Sequence, residues 1–342
     1  MADHGFPDRQ SAALLSSQHL EELLKRLLLC ALAAPLLAWA QAYPSKPIRM
    51  IVPFPAGGPA DIFGRGLAHG MSSELGQPVI IENIGGVGGV LGVDRALKSA
   101  PDGYTLGFNS GSTLSIAPYS FARLPYDVKK DAALITLVVR VPEVLAVHPS
   151  LPVASMAELV EYAKKNPGKV NFGSAGGGSI THLAGELLKS EARVDLVHVP
   201  YKGAAPAVND LLGGQVQMGI FDVPVLLGHI RSGKLKALAV TSTTRAPTLP
   251  DVPTTAEANY PNVTSDNWYG LVVPAATPAD IQKRLNSAAV AALKSPAVTE
   301  QFAKVGGLAS PGTPQDYAEF LAKEQEKWSR VVSAIGFKEQ NQ

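Results

Sequence analysis

Cysteine is all but missing from this 342-residue chain: Cys30 stands alone. Leu29 precedes it, where lipid attachment would call for a small residue. A lone thiol closes no internal disulfide, and beyond it no cysteine is left for thiol catalysis or a cysteine zinc site. Charge is scarce as well. Charged residues make up 17% of the chain and the formal net charge is +1, which argues against nucleic acid as a partner. Long apolar runs are also absent. The stretch from 27 to 40 is shorter than the roughly 20 residues a bilayer span needs, and Pro35 interrupts it. Catalytic signatures are missing too: there is no G-x-x-x-x-G-K-[ST], no G-x-S-x-G, and no H-E-x-x-H among the 7 histidines. Gly85-Gly-Val-Gly-Gly-Val-Leu-Gly92 approaches a dinucleotide loop, but Leu91 stands where the third glycine belongs. No nucleophile, base and orienter assemble, so neither an enzyme, a cofactor nor a metal site is expected.

Residues 1–42 read as a signal peptide with an extended n-region. Lys25-Arg26 precede the apolar run, and Ala38-Trp-Ala40 and Ala40-Gln-Ala42 both fit a small-x-small cleavage site. About 300 residues remain, enough for two α/β domains with separate cores. Short β-branched runs alternate with helical patterns through that remainder. Strands are expected at 48–52, 79–82, 105–108, 144–148, 170–173, 196–199, 216–221, 235–241 and 271–273. The rhythm implies βα crossovers and parallel-rich sheets covered on both faces. Ser155-Met-Ala-Glu158, Thr277-Pro-Ala-Asp280 and Thr313-Pro-Gln-Asp316 mark helix starts by a hydroxyl cap with an acid in the first turn. Proline-rich connectors at 141–152 and 245–267 suggest two crossings between lobes. Lobe one is then 43–146 plus 268–342, and lobe two is 147–267.

The richest stretch is the apolar run 48–52 followed by Pro53-Phe-Pro-Ala-Gly-Gly-Pro-Ala-Asp61, a buried strand, a glycine-proline turn and a helix start. A helix N-terminus carries roughly half a positive charge and unpaired N–H donors, so it binds an anion without lysine or arginine. Gly173-Ser-Ala-Gly-Gly-Gly-Ser179 repeats the device in the other lobe. Two further loops (109–113 and 200–204) and Asp222 also follow strand ends, where ligands bind in open α/β sheets. Each has a plainer reading. Ser179 could serve as an N-cap alone, Asp61 could only stabilise its helical turn, and Asp222 could face solvent. His182 could reach the crevice or sit on the helix flank. Phe54 and the Trp268-Tyr269 pair could wall a ligand, or Trp268 could pack between hinge segments.

Together these elements resemble the Bug family, the extracytoplasmic solute receptors of tripartite tricarboxylate transporters. The motifs that carry the likeness are Ile51-Val-Pro-Phe-Pro-Ala-Gly-Gly-Pro-Ala-Asp61, Gly76-Gln-Pro-Val79, Pro101-Asp-Gly-Tyr-Thr105 and Gly178-Ser-Ile-Thr-His182. Val199-Pro-Tyr-Lys-Gly203, Ser232-Gly-Lys-Leu-Lys-Ala-Leu-Ala239, Leu249-Pro-Asp-Val-Pro-Thr254 and Trp268-Tyr-Gly-Leu271 complete them. The resemblance implies an α/β periplasmic binding protein of type II, a Venus flytrap, that captures a small carboxylate or dicarboxylate. Its implied partners are a small organic acid and membrane permease subunits. A monomer in the periplasm is expected, or else a receptor signalling to a sensor kinase. The family pattern puts ligand contacts at Phe54, Ala56, Gly57, Gly58, Asp61, Ser174, Gly178 and Ser179, with Ser110, Ser112 and Thr113 in a hydroxyl-rich loop. His182, Tyr201 and Asp222 complete the expected site. The chain departs from the pattern at Ala117, where relatives commonly carry asparagine, and at Pro59, which removes a donor from the first turn.

Overall fold

The computed structural model describes Glu22 and residues 43–338. The expected signal peptide therefore falls almost wholly outside the described residues. The chain divides into Met1–Ser45 and Lys46–Gln342, and the sheet with its covering helices belongs to the second unit.

Among the described residues, ten strands form one continuous sheet. Three parallel strands begin it: β1 (Ile48–Val52) lies between β2 (Val79–Asn83) and β3 (Thr105–Ser110). In β1 every residue but Arg49 is buried, as expected of a parallel strand covered on both faces. A second parallel set comprises β5 (Asn171–Ser174), flanked by β6 (Val197–Pro200) and β7 (Met218–Asp222). Two long strands tie the sets together. β4 (Ala132–Val147) runs antiparallel to β9 (Asp266–Pro274) as far as Pro142, then pairs with β7 and with β8 (Lys236–Val240) from Glu143 or Val144 onward. The short β10 (Leu308–Ala309) lies on the outer edge of β4.

Helices cover both faces. α1 (Pro59–Leu75), α2 (Val90–Leu97), α7 (Ala279–Lys294), α8 (Pro296–Lys304) and α9 (Pro314–Ile335) go with the first set. α3 (Met156–Lys165), α4 (Ile180–Ala192), α5 (Ala204–Leu212) and α6 (Val223–Arg231) go with the second. Two cores fill the second half: Leu145, Phe172 and Met218 under α3 and α4, and Phe221, Leu211 and Leu226 under α5 and α6. Each such side chain contributes about 1.5–3 kcal/mol by leaving water. Val93, Trp268 and Tyr317 centre the core of the first half, and Ile116, Ile180 and Trp328 form a further cluster joining the halves.

Ser155 caps α3, and Thr313 with Asp316 forms a full capping box on α9. Thr277 does not cap. α7 starts at Ala279 after Pro278, and the Thr277 hydroxyl is buried without a hydrogen-bond partner. The strand expected at 144–148 is the far end of the sixteen-residue β4; its first half, with the β-branched run Ile135-Thr-Leu-Val-Val139, is not among the expected strands although its composition favours one.

Candidate functional site

Two helix starts meet across a cavity at the carboxyl ends of the parallel strands. The first is the turn from β1 into α1. Gly57 takes a left-handed backbone (φ 80°), which glycine adopts without strain, and its N–H donates to Asp61 Oδ2 at 3.0 Å. Asp61 also accepts from Arg65 Nε at 3.0 Å and Asn83 Nδ2 at 3.1 Å. Burial by itself would raise the Asp61 pKa, but the bonds from Arg65, Gly57 and Asn83 outweigh it and hold the carboxyl below its usual range. Asp61 thus locks the shape of the turn. Pro59 at the first helical position has no N–H, which leaves Gly58 and Ala60 as the donors bordering the cavity.

The second start is the turn from β5 into α4. The Ser179 hydroxyl donates to Gly176 O at 2.6 Å and accepts from His182 N at 3.3 Å, so Ser179 is an N-cap. Ser174 Oγ accepts from Gly176 N at 3.1 Å and sits 2.6 Å from His198 Nε2. Gly178 N donates to His182 Nδ1 at 3.2 Å. The polar groups of this turn therefore satisfy one another, and Ala175, Ile180 and Thr181 border the cavity instead. One bond spans the gap: Ile180 N donates to Ser112 Oγ at 3.0 Å.

The cavity has a volume of about 400 Å³. Phe54, Pro55, Pro59, Ala175, Ile180 and Ala204 make the apolar wall; Ser112, Thr181, Asp222, Asn267 and Tyr269 make the polar one. No lysine, arginine or histidine lines it among the described residues. At the polar end Asp222 accepts from Tyr269 OH at 2.6 Å and from Asn267 Nδ2 at 3.0 Å to each oxygen. Burial pushes Asp222 up to about 6 even against those donors. The Tyr269 hydroxyl is raised well above its usual value by burial and by the Asp222 charge.

Of the residues singled out from the sequence, Phe54, Gly58, Ser112, Asp222 and Tyr269 border this cavity. Ala56 and Gly57 occupy the exposed outer edge of their turn. Asp61, Ser174, Gly178, Ser179 and His182 stand one layer behind, holding the two turns in shape. Ser110 and Thr113 also lie behind the wall, with the Ser110 N–H donating to Thr113 Oγ1 at 3.2 Å. Tyr201 turns to Asp210 instead, donating its hydroxyl to Oδ2 at 2.7 Å; burial and that bond push it up to about 12. Sequence reasoning missed Asn267, Thr181 and most of the apolar wall. Asn267 lies two residues from Tyr269 on β9, so strand alternation puts both on one face. Trp268 points the other way, stacking edge-on against Tyr317 and donating Nε1 to Glu324 Oε2 at 3.2 Å.

The profile of the tripartite tricarboxylate transporter family receptor matches residues 63–337. The chain belongs to that receptor family. It is 41% identical over 308 residues to Protein BugT of Bordetella pertussis, covering 90% of this chain and 94% of the relative. The solved periplasmic binding protein BugD superposes with a TM-score of 0.84 at 35% identity, over 87% of this chain and 100% of BugD. Rpa4515 of R. palustris, solved with adipate, superposes at 0.85 with 32% identity, over 88% of this chain and 100% of that one. The tripartite transporter receptors are periplasmic solute-binding proteins rather than enzymes, and this chain has their two-lobed α/β fold. Proteins similar to this chain thus include one solved with a dicarboxylate in place.

Proposed function

We propose that this protein captures a small carboxylate or dicarboxylate in the periplasm and hands it to the membrane permease of a tripartite transporter. The observation that carries the reading is the convergence of two helix N-termini, those of α1 and α4, on one cavity without a basic side chain. Peptide dipoles and hydroxyls then stabilise the anion, and the apolar wall covers its carbon chain. The adipate held by Rpa4515 supports an acid with two carboxylates. Lobe one comprises 43–146 and 268–342, lobe two 147–267, and ligand bridging them favours the closed arrangement by its differential affinity. Residues 1–42 act as the export signal. The receptor works as a monomer without covalent chemistry.

Titration calorimetry against aliphatic and aromatic mono- and dicarboxylates, with amino acids and neutral sugars as controls, tests the reading. At least one acid should bind with Kd near micromolar, about −8 kcal/mol. Gly58→Val should weaken that acid at least tenfold. The Gly58 backbone is ordinary (φ −79°) and an added Cβ meets only Pro55 O at 3.5 Å, but valine is a poorer N-cap than glycine, so stability should fall by about 1 kcal/mol, too little to unfold the protein. Binding of sugars but no acid, or unchanged affinity in Gly58→Val, overturns the site.

A further inference from the structure

Two acids are buried side by side where β4 changes partner, and one of them, Asp222, borders the cavity. Asp222 is 1% exposed and Glu143 0% exposed, and they sit opposite each other in the β4–β7 pairing, where β4 leaves β9 for the second half of the sheet. Among the described residues neither is hydrogen-bonded to a lysine or arginine. Asp222 is held by Asn267 and Tyr269. Glu143 Oε2 takes a very close hydrogen bond from Ser265 Oγ, and Glu143 Oε1 is buried with no partner. The surrounding charges do not neutralise them. Asp266 on β9 adds a third acid; Arg140 on β4 stands 3.9 Å from Asp266, and Lys327 and Glu324 on α9 act on the group from farther off. Asp61 in the first turn of α1 is tied to its own Arg65.

We infer that a carboxylate enters this cavity together with one proton, which the Asp222–Glu143 pair takes from solvent, so that these two acids set the pH dependence of capture. The inference rests on the carboxylate function proposed for the same cavity. An anion between the glycine turns shares a water-poor space with Asp222, and two like charges there repel with little screening. The cheapest response is protonation of the carboxyl pair rather than rejection of the ligand. Burial pushes Asp222 up to about 6, and burial with the Asp222 charge lifts Glu143 well above its usual value, so the pair holds its proton close to neutrality. A bound anion raises it further. Affinity should therefore fall as pH rises above about 6, by up to tenfold per unit for one full proton. Below that, the pair is already loaded and the coupling disappears. Tyr269 and Asn267, which donate to Asp222, would turn with the new proton as acceptors through their oxygens.

Calorimetry with succinate and adipate at pH 6.5 and 7.5, in buffers of different ionisation heat, reads the proton directly. Both probes are dianions in this range, so the slope belongs to the protein. The wild type should take up a large fraction of one proton and lose several-fold in affinity between the two pH values. Asp222→Asn, permanently neutral, should bind more tightly than wild type at pH 7.5 and show a flattened slope; a purely structural role would weaken it instead. Where Asp222→Asn melts early, Glu143→Gln supplies the same readout. Tight binding without proton uptake, or a wild-type slope in both variants, overturns the inference while leaving the carboxylate function intact. Should neither succinate nor adipate bind, the acid found in the wider panel takes their place, and binding of no acid at any pH removes both readings.

Discussion

His182 and His198 stack with ring centroids 3.7 Å apart beneath the second glycine turn, where His182 accepts the Gly178 N–H and His198 meets Ser174. Burial, then the neighbouring His182, pushes His198 down to about 3. The fold thus keeps it neutral, whereas the unfolded chain protonates it below about 6.5. Its contribution to stability is complete above that value and is lost as pH falls toward 3. Melting curves at pH 7.5 and 5 should show a marked drop in Tm, and His198→Gln should shrink that drop while costing about 1 kcal/mol at pH 7.5. A second residue behaves oppositely. The Tyr317 hydroxyl is buried against Gly270 without a hydrogen-bond partner. Removing an unpaired buried polar group is neutral or favourable, so Tyr317→Phe should leave urea stability unchanged or raise it by up to about 1 kcal/mol. Gly270→Ala has no room, because its Cβ would collide with that ring, and should cost about 1–3 kcal/mol.

At the scale of elements, β1 and its turn into α1 were legible because every local signal agreed: an apolar run, glycines, then proline at the helix start. The caps at Ser155 and Thr313 were equally readable, since the hydroxyl and the acid three residues on act within one turn. Thr313→Ala should therefore cost about 1 kcal/mol in urea unfolding. β4 was harder. Pro142 inside it read as a connector, because proline removes a ladder hydrogen bond. In the structure Pro142 sits at the switch point where β4 leaves β9, and the Glu143 carbonyl accepts from Thr241 N at 3.0 Å. The proline thus marks a change of partner rather than an end. Which loops border the cavity was legible, because they follow strand ends. Which of their side chains face it was not. Ser179 and His182 turn inward to hold the turn, while Thr181 between them both accepts the Ala175 N–H at 2.8 Å and borders the cavity, a choice made by helix rotation and packing.

At the scale of the whole molecule, the two halves already touch. An added Cβ at Gly88, in the loop before α2, would lie 3.0 Å from Gly177 O in the turn before α4. An added Cβ at Gly203 would lie 2.7 Å from Pro55 across the same cleft. Gly88 also has a left-handed backbone (φ 61°). In the proposed closing of the lobes, the end of the swing is thus set at Gly88 by main chain meeting the Gly177 carbonyl and at Gly203 by main chain meeting the stiff Pro55 ring, with no flexible side chain at either place to absorb a misfit. A single methyl at either place becomes a doorstop: the jaws would halt ajar, water would stay inside, and grip would drop although every group that touches the guest is unaltered. The reach of this receptor's bite is written in atoms it does without.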